Sequence, residues 1–512
     1  MKVSFSALEI PASGVVVAAV TEDRALSASA GKLDEALGGG VQRAMEASRF
    51  HGRKEQTLAL LAPAGTAFTR ILLVGLGKPG ELDPLRLQAA GGQIYAALAG
   101  NGQADAFVCV DALPDCTLSP ADMAAEMAFG AALRSYRFDK YRTKESEDDK
   151  PSLAALTFGC ADAEQAAMLW QRNEALAGAI AFTRNIVSEP ANVIYPETLA
   201  AQARTLADHG VEVEVLGEER MRELGMGALL GVGQGSARES QLVVMQWWGA
   251  GKPASSEGVG DDAPEVDPNG PLAFVGKGVT FDTGGISIKP AANMEDMKWD
   301  MAGSGVVIGL MKALAMRRAP VNAVGIVGLV ENMPSSTAQR PGDVVKSMSG
   351  QTIEVINTDA EGRLVLSDAL WYTKQRFRPK LMIDLATLTG AIIIALGHEQ
   401  AGLFSNDEAL AERLAAAGKA TGELLWRLPL GEAYDKQIKS DIADMKNVGE
   451  RGAGSITAAQ FLQRFVGKTP WAHLDIAGVA WGKKDSAVTP KGATGFGIRL
   501  LDRLVADHYE QP

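Results

Sequence analysis

The chain has 512 residues, of which 46% are hydrophobic and 22% are charged, and its formal net charge is −12. This length is too great for one compact core, so two domains are expected. The negative charge argues against a general affinity for nucleic acid or for an anionic membrane surface, because binding to phosphate groups depends on Lys and Arg.

The cysteines and the first residues of the chain indicate the expected cellular compartment. Cys109, Cys116 and Cys160 are odd in number and form no CxxC motif, so a disulfide framework is not expected. The apolar run at 14–20 is followed at once by acidic residues, which favours a β-strand over a signal peptide. No apolar segment is long enough for a transmembrane helix. We therefore expect a cytoplasmic protein without a membrane partner.

In the first third of the chain, β-like runs alternate with Ala-rich stretches, as at 15–17, 71–74, 107–110 and 121–133. This alternation predicts a layered α/β domain, which we assign to residues 1–165. A long helix is expected over 163–186, because this stretch contains one glycine and no proline, and Asp162 is a suitable N-cap. We interpret 166–188 as a connecting helix that leads to a larger domain at 189–512.

The second half opens with an acidic stretch, 254–270, which is rich in Gly, Pro and Ser and is expected to be a surface insertion between two strands. Strand-like runs follow at 272–275, 323–330, 353–356 and 381–385, and helix-like stretches at 305–317 and 363–377. The predicted fold class is α/β, with a smaller N-terminal α/β domain and a larger C-terminal one. The larger domain is expected to have a central mixed sheet flanked by helices.

Some motifs give only weak support for a nucleotide, zinc or serine-hydrolase site. Residues 75–80 match GxGxxG after an apolar run, but Pro79 and Pro84 delay the helix that a dinucleotide site needs, so a plain βα turn is expected. The five histidines show no pairing at metal-ligand spacing, and the sequence contains no GxSxG. A histidine-based zinc site and a serine hydrolase are therefore poorly supported.

Four acidic residues of the second half draw attention: Asp282, Asp300, Asp359 and Glu361. Each has an ordinary explanation by itself, since turns and helix starts favour acidic side chains. Asp282 could form an Asx turn, Asp300 could cap a helix, and the other two could be a turn residue and a first-turn acid. Taken together, they place several carboxylates at expected strand and helix ends, where α/β sheets bind ligands.

Three cations accompany these acids. A strand-like run is expected to end at Lys277, whose flanking glycines would let a ligand approach the backbone. Lys289 could be an ordinary solvated lysine, and Arg363 could be an ion-pair partner. Carboxylates without histidine or thiolate form a hard, oxygen-rich site, which suits two divalent cations about 3.5–4 Å apart.

Eight segments of the second half share a likeness to one family: residues 185–192, 275–278, 281–290, 297–303, 331–334, 338–343, 357–364 and 386–391. Their sequences resemble the cytosolic leucyl aminopeptidases, which are dinuclear metallo-exopeptidases. The octapeptide NTDAEGRL at 357–364 is the most specific of these motifs. The resemblance is nearly continuous over the catalytic half and only loose over the N-terminal half, and the acidic stretch at 254–270 is its main departure.

The resemblance implies a set of metal ligands. One cation would take Lys277, Asp282, Asp300 and Glu361, and the other would take Asp282, Asp359 and Glu361. Asp282 and Glu361 would bridge the two cations. Lys277 would have to be neutral to act as a ligand, and a neighbouring cation lowers the pKa of an amine.

The resemblance also implies catalytic and substrate-binding roles. Lys289 would polarise the scissile carbonyl and stabilise the oxyanion. Arg363 would hold a bicarbonate ion that acts as general base. Met297 would line the pocket for the first side chain of the peptide, and further substrate contacts would come from Thr387, Leu388 and Gly390.

The implied function is a metal-dependent aminopeptidase. It would release N-terminal residues, leucine and other apolar residues foremost, by attack of a water or hydroxide that bridges two Mn²⁺ or Zn²⁺ ions. A homohexamer is the implied assembly, with peptides as the partners. Two alternatives stay open: another two-metal hydrolase such as a phosphatase, and an additional nucleic-acid-binding regulatory role, which the net charge disfavours.

Overall fold

In the computed structural model, which describes residues 1–252 and 265–510, the chain divides into two units. The first comprises Met1–Gly178 with Lys483–Lys491, and the second comprises Ala179–Gly482 with Gly492–Pro512. The division falls inside one long helix, Ala163–Ser188, which contains the predicted connecting segment 166–188. The Asp162 carboxylate accepts a hydrogen bond from the Gln165 amide at 3.0 Å, so the predicted N-cap is confirmed.

The first unit is an α/β layer. Its elements are β1 (Lys2–Ala7), β2 (Ser13–Thr21), β3 (Ala25–Leu26), α1 (Ala28–Ala36), α2 (Gly40–Glu46), β4 (Thr57–Leu61), β5 (Ala67–Gly77), α3 (Pro84–Leu98), β6 (Asp105–Cys109), α4 (Pro120–Arg134) and β7 (Ala155–Cys160), followed by the long helix α5 (Ala163–Ser188). The sheet order is β1-β7-β6-β2-β5-β4, with β3 paired to β2, and its central pairings are parallel.

The GxGxxG segment of this unit is a βα turn, as expected. Strand β5 ends at Gly77, and α3 begins only at Pro84 with Asp83 as its N-cap. The two prolines therefore separate the strand from the helix, and the amide groups of the helix start do not follow the glycines directly.

The second unit contains the larger sheet. Its elements are α6 (Pro196–Arg204), β8 (Glu212–Leu216), α7 (Glu218–Glu223), α8 (Gly227–Gly233), β9 (Gln241–Trp248), β10 (Leu272–Asp282), α9 (Ala302–Met316), β11 (Asn322–Asn332), β12 (Val344–Lys346), β13 (Thr352–Glu354), α10 (Gly362–Phe377), β14 (Leu381–Ala386), α11 (Gly390–Leu396), β15 (Ala401–Ser405), α12 (Glu408–Thr421), β16 (Leu425–Arg427), α13 (Glu432–Asp435), β17 (Met445–Lys446), α14 (Gly454–Gln463), β18 (Trp471–Asp475), β19 (Trp481–Gly482), β20 (Gly492–Ala493) and α15 (Ile498–His508).

This larger sheet is mixed, which confirms the predicted fold class. Its order is β16-β15-β18-β14-β10-β11-β9-β8. Pairing is parallel through β18, β14, β10 and β11 and between β15 and β16, and it is antiparallel between β15 and β18 and from β11 through β9 to β8. The acidic stretch follows β9 and precedes β10, and its residues 253–264 lie outside the described ranges. Among the described residues, no helix combines the length and the apolar character that a membrane crossing requires.

Strand β10 corrects one expectation about Lys277. The strand does not end there but continues to Asp282, and Lys277 lies in its middle, opposite Gly328 of β11. The glycine at 276 serves helix packing instead of ligand approach, because a Cβ there would lie 2.7 Å from the Ser304 Cα of α9. Since successive side chains of a strand point to opposite faces, Lys277 lies on the other face, beside the start of α10 at Gly362.

Candidate active site

Apart from Arg363 of α10, the predicted site residues come from five places in the second unit. Strand β10 provides Lys277 and Asp282, and the loop after it provides Lys289. A 3-10 helix, Met294–Trp299, carries Met297 and is followed by Asp300, and the turn before α10 carries Asp359 and Glu361. Thr387, Leu388 and Gly390 follow β14. Asp282 and the loop 387–390 lie at the carboxyl ends of the neighbouring parallel strands β10 and β14, where sheets of this kind bind ligands, and the other residues approach the same place.

The structure brings these residues together in one cavity of about 380 Å³. Every predicted site residue except Arg363 lines it. The further lining residues are mainly apolar or small, and include Pro290, Ala292, Met294, Trp299, Ile393 and Ala477. Charged groups therefore meet at one part of a cavity that is otherwise suited to an apolar side chain.

Lys277 joins two of the acids at the buried side of the site. Its Nζ lies 2.8 Å from Glu361 Oε1 and from Asp300 Oδ2, and it donates to the Thr387 carbonyl oxygen at 2.8 Å. The Asp300 carboxylate also accepts a hydrogen bond from the Thr387 hydroxyl at 2.7 Å. These contacts tie β10, the segment before α9 and the loop after β14 to one another.

Lys289 joins the other two acids at the more open side. Its Nζ lies 2.7 Å from Asp282 Oδ2 and also contacts Asp359 Oδ1, and its side chain is 21% exposed. The loop that carries it folds back through Gly284 and Gly285, whose φ angles are 87° and 66°. Side chains rarely adopt this left-handed conformation, which explains the Gly-Gly pair after Asp282 and Thr283.

The ordinary roles expected for the acids are only partly present in the structure. Met301, not Asp300, is the N-cap residue of α9, so Asp300 does not cap this helix. Asp282 does form the Asx turn, since its Oδ1 accepts from the Gly284 amide at 2.9 Å, but its Oδ2 faces Lys289. The Glu361 side chain makes no capping hydrogen bond to α10 and contacts Lys277 instead.

The carboxylates of the site outnumber the positively charged groups beside them. Burial raises the pKa of Asp300 and of Asp359, and the neighbouring lysines oppose this rise without cancelling it. Burial acts to lower the pKa of Lys277, but the surrounding carboxylates raise it above its ordinary value. Four carboxylates face two ammonium groups here, and a divalent cation would relieve their mutual repulsion.

The geometry of the acids fits a metal. Asp282, Asp359 and Glu361 each offer a carboxylate oxygen, and these three oxygens lie within 4.8 Å of one another. Such oxygen-only sets suit hard or borderline divalent cations. Lys277 would have to release its proton to join them, a change that an adjacent cation favours.

Arg363 lies apart from the cavity wall. Its side chain is buried, and Nη1 donates to the Asn447 carbonyl oxygen at 2.8 Å. Its Nε has no hydrogen-bond partner among the described residues. Burial lowers the pKa of this guanidinium to about 10, although Glu361 acts in the opposite direction. The group therefore remains a cation at neutral pH with a donor still to be satisfied.

Three residues that support the site were not singled out from the sequence. Asn332 donates from Nδ2 to Asp282 Oδ1 at 2.8 Å and to the Thr358 carbonyl at 3.1 Å. Asn447 accepts from the Ile356 amide at 2.8 Å and donates to the Asn357 carbonyl at 2.7 Å, and so fixes the turn before Asp359. Asp475 accepts hydrogen bonds from the Leu388 amide at 3.1 Å and the Thr389 hydroxyl at 2.6 Å, both in the loop after β14. Asn332 stands in a motif that supports the resemblance, but no local pattern marks Asn447.

Comparison with known proteins identifies the family. A sequence model described as "Cytosol aminopeptidase family, catalytic domain" matches residues 181–502, and the corresponding N-terminal domain model matches residues 16–145. The chain belongs to the cytosol aminopeptidase family. As a member it is an aminopeptidase and a hydrolase. The N-terminal domain model thus extends the family match to the part of the chain where the resemblance of the sequence is loose.

Several members and solved structures are similar over the whole chain. The probable cytosol aminopeptidases of Caulobacter vibrioides and Chelativorans sp. are 55% and 53% identical, over 100% and 99% of both chains. A tomato leucine aminopeptidase mutant has a TM-score of 0.85 at 32% identity, covering 99% of this chain and 97% of its own. The bottromycin maturation enzyme BotP in complex with Mn has a TM-score of 0.82 at 32% identity, with coverages of 97% and 99%.

Proposed function

We propose that this aminopeptidase prefers peptides with an N-terminal leucine or another apolar residue, and that it works with two divalent cations, Mn²⁺ or Zn²⁺. The observation that carries the proposal is the single cavity in which Lys277, Lys289 and four carboxylates meet beside an apolar wall. The complex of the related BotP with Mn supports manganese as one of the candidates.

The ligands of the two cations would be Lys277, Asp282, Asp300, Asp359 and Glu361. Asp282 and Glu361 are the proposed bridging residues, and the close approach of their oxygens to those of Asp359 supports this assignment. Bound at this place, two divalent cations would supply Lewis acidity and a nucleophilic water at neutral pH. Asn332 would hold Asp282 in its ligating orientation through the 2.8 Å hydrogen bond to Oδ1.

Lys289 would act on the reacting carbonyl. Its ammonium group is partly exposed to the cavity and is oriented by Asp282 and Asp359. Burial acts to lower the pKa of Lys289, but Asp282, Glu361 and other nearby carboxylates raise it above its ordinary value, so the group stays protonated. A fixed cation of this kind stabilises the negative charge that develops on the carbonyl oxygen in the transition state.

The substrate would lie along the loop after β14. Thr387, Leu388 and Gly390 would contact the main chain of the peptide, and Met297 would contact its first side chain. The apolar lining of the cavity, including Ile393 and Ala477, supports a preference for leucine-like residues over charged ones.

Arg363 would hold bicarbonate, which would supply a general base at this position. The buried Nε without a partner and the charge of the guanidinium support an anion at this position. Asn447, which receives the hydrogen bond from Nη1, would keep the guanidinium oriented.

We also propose a cytoplasmic homohexamer. The name of the family and three free cysteines, two of them buried, support a reducing compartment. Exposed apolar side chains such as Ile394, Trp426 and Ile442 support association with further copies. Light scattering of the purified protein would give the molar mass, and a monomer at micromolar concentration would contradict the hexamer.

A panel of aminoacyl-amides, run with metal analysis of the same preparation, tests the proposed preference and cofactor. We expect Leu-amide to be cleaved with a higher kcat/KM than Ala-amide and Glu-amide, because removing methylene groups or adding a charge weakens binding in an apolar pocket. An aryl phosphate serves as the control for a two-metal phosphatase and should not be cleaved. Equal rates on Leu-amide and Glu-amide would contradict the apolar preference.

A further inference from the structure

Two segments of the cavity wall leave the larger sheet next to each other. Strands β14 and β18 pair in parallel as far as Ala386 and Asp475, and the Ile476 amide then donates to the Ala386 carbonyl oxygen at 2.9 Å. Beyond this point the chain after β14 forms the loop 387–390, and the chain after β18 turns at Ala477. Both the loop and Ala477 line the cavity, so the shape of its wall depends on how these two segments are spaced.

One carboxylate oxygen joins the two segments. Asp475 is 1% exposed, and its Oδ1 accepts hydrogen bonds from the Leu388 amide at 3.1 Å and from the Ala477 amide at 3.3 Å. The bond from Ala477 is a local Asx turn, whereas the bond from Leu388 comes from a segment 87 residues away in the sequence. Because both amides share one acceptor atom, neither segment can move away without losing its hydrogen bond.

The other oxygen of Asp475 holds the start of helix α11. Its Oδ2 accepts a hydrogen bond from the Thr389 hydroxyl at 2.6 Å. Thr389 is the N-cap of α11, where its Oγ1 accepts from the Ile392 amide at 3.2 Å, and it also lies 2.7 Å from Ser455 Oγ of α14. Helix α11 carries Ile393, an apolar residue of the cavity wall. Asp475 is thus bonded to the loop, to the turn and to the cap of this helix.

The first residue of the loop is held from the other side by charged groups of the site. The Thr387 carbonyl oxygen accepts from Lys277 Nζ at 2.8 Å, and the Thr387 hydroxyl donates to Asp300 at 2.7 Å. The loop is therefore fixed between the proposed metal ligands at one end and Asp475 at the other. The contacts of Asp475 are those that reach the residues beyond Thr387.

We infer that Asp475 is a positioning residue that sets the spacing between the loop 387–390 and Ala477, and thereby the width of the pocket for the first side chain of the peptide. The inference deepens the proposed function, on which it rests for the role of this cavity. A pocket that distinguishes leucine from a smaller residue must keep its walls in place, because such discrimination depends on close packing around a few methylene groups.

The proposed role depends on the position of an acceptor and not on a charge. A backbone amide can only donate, so Oδ1 accepts from Leu388 and Ala477 whether or not Oδ2 carries a proton. The Thr389 hydroxyl can donate to Oδ2 or accept from it, and the contact is kept in both cases. An amide side chain of the same shape should therefore replace this carboxylate, whereas a methyl group should not.

The test measures side-chain selectivity in the full-length, metal-loaded enzyme, as kcat/KM on Leu-amide divided by kcat/KM on Ala-amide. Asp475→Ala leaves two buried amides without an acceptor, so the segments should rearrange and this ratio should fall about tenfold. The KM for Leu-amide should rise about tenfold, while kcat and metal content should stay within about threefold, because Lys289 and the proposed metal ligands are unchanged. An unchanged ratio in a folded Asp475→Ala variant would overturn the inference.

Asp475→Asn is the conservative variant. Its Oδ1 can still accept from both amides, and its Nδ2 can donate to Thr389 Oγ1. The selectivity ratio should therefore stay within about twofold of the wild-type value. A loss as large as that of Asp475→Ala would show that the charge matters and not the shared acceptor, and would also overturn the inference.

Glu423→Ala is the matched control, since Glu423 is another buried carboxylate that bonds two amides. It accepts from the Gly497 and Leu500 amides at 3.0 and 2.9 Å, at the start of α15, and it is not among the described residues that line the cavity. Its loss should lower the unfolding midpoint and leave the selectivity ratio within about twofold of wild type. An equal fall of the ratio would overturn the specific role of Asp475.

Thr389→Val provides a second route if Asp475→Ala does not fold. It removes the hydroxyl that contacts Asp475 Oδ2 and leaves Oδ1 with both amides, so the loop should loosen less and the ratio should fall about threefold. An unchanged ratio in this variant would overturn the inference. A wild type that cleaves Leu-amide no better than Ala-amide would instead contradict the proposed preference, and this inference with it.

Discussion

Strands β2 and β10 hold similar positions in their own sheets, since each is paired on both sides with parallel strands. In β2, residues 15–20 are all apolar and buried. In β10, Lys277 and Asp282 interrupt an equally buried strand. A parallel strand covered on both faces normally has a continuous apolar sequence. The difference matches the proposed roles, in which the charges of β10 serve chemistry and the apolar residues of β2 serve stability.

We expect the largest loss of activity when one acid of the proposed metal site is replaced. Glu361→Ala removes a proposed bridging ligand and leaves Lys277 with one carboxylate partner fewer. Hydrolysis of Leu-amide should fall by about 10³-fold or more, and the metal content measured by mass spectrometry should fall with it. Glu354→Ala is the matched control, because Glu354 bonds Ser440 and does not line the cavity. Survival of both metal and activity in Glu361→Ala would refute the ligand assignment.

Removal of the Lys289 charge, at the more open side of the site, should reduce turnover and leave metal binding intact. Lys289→Ala should retain its metal and lose about 10²- to 10³-fold in kcat, because one electrostatic donor to the developing oxyanion is gone. Lys298→Ala is a suitable control, since that lysine lies over the Trp481 ring and not in the cavity. A wild-type kcat for Lys289→Ala would show that the ammonium group does not act on the carbonyl.

A substitution in the apolar strand β2 should instead lower stability and leave activity unchanged. Val17→Ala in β2 removes two methyl groups from a fully buried position and should lower the free energy of unfolding of the first unit by about 1–3 kcal/mol. Urea unfolding followed by fluorescence measures this change. The kcat/KM for Leu-amide in the absence of urea should not change, and a marked loss would mean that β2 contributes to chemistry.

The smallest effect concerns the thiols of the first unit. Burial raises the pKa of Cys109 to about 12 and also raises that of Cys160, so both should stay protonated at pH 8. Cys116, which is partly exposed, should be the one thiol that reacts rapidly with an aromatic disulfide reagent in the native protein. Rapid modification of all three thiols without denaturant would show that Cys109 and Cys160 are accessible in the native protein.

Features that follow from local sequence patterns could be predicted, and features that depend on packing could not. The Asp162 cap, the alternation of strands and helices and the mixed sheet were predictable, because they follow from local patterns. The extent of β10 was not, because a lysine in the middle of a buried strand contradicts the usual apolar pattern. The NTDAEGRL motif identified Asp359 and Glu361 through resemblance to a family.

The residues that support the site were harder to find. Asn447 lies about 90 residues after the turn that it fixes, and Asp475 lies about as far after the loop that it holds. Each is an ordinary polar residue in its own segment, and only the folded chain brings it to its partner. Arg363 was predicted from its motif, but its position behind the cavity wall depends on the packing of α10 and could not be predicted.

The most direct test of the account is a metal titration of the chelator-treated protein. We predict that removal of divalent cations abolishes hydrolysis of Leu-amide, and that Mn²⁺ restores it with saturation at about two ions per chain, while Glu361→Ala is not restored. Full activity of the metal-depleted wild type, or saturation at a single ion, would contradict the central claim that the charges of β10 and its neighbours form a two-metal site.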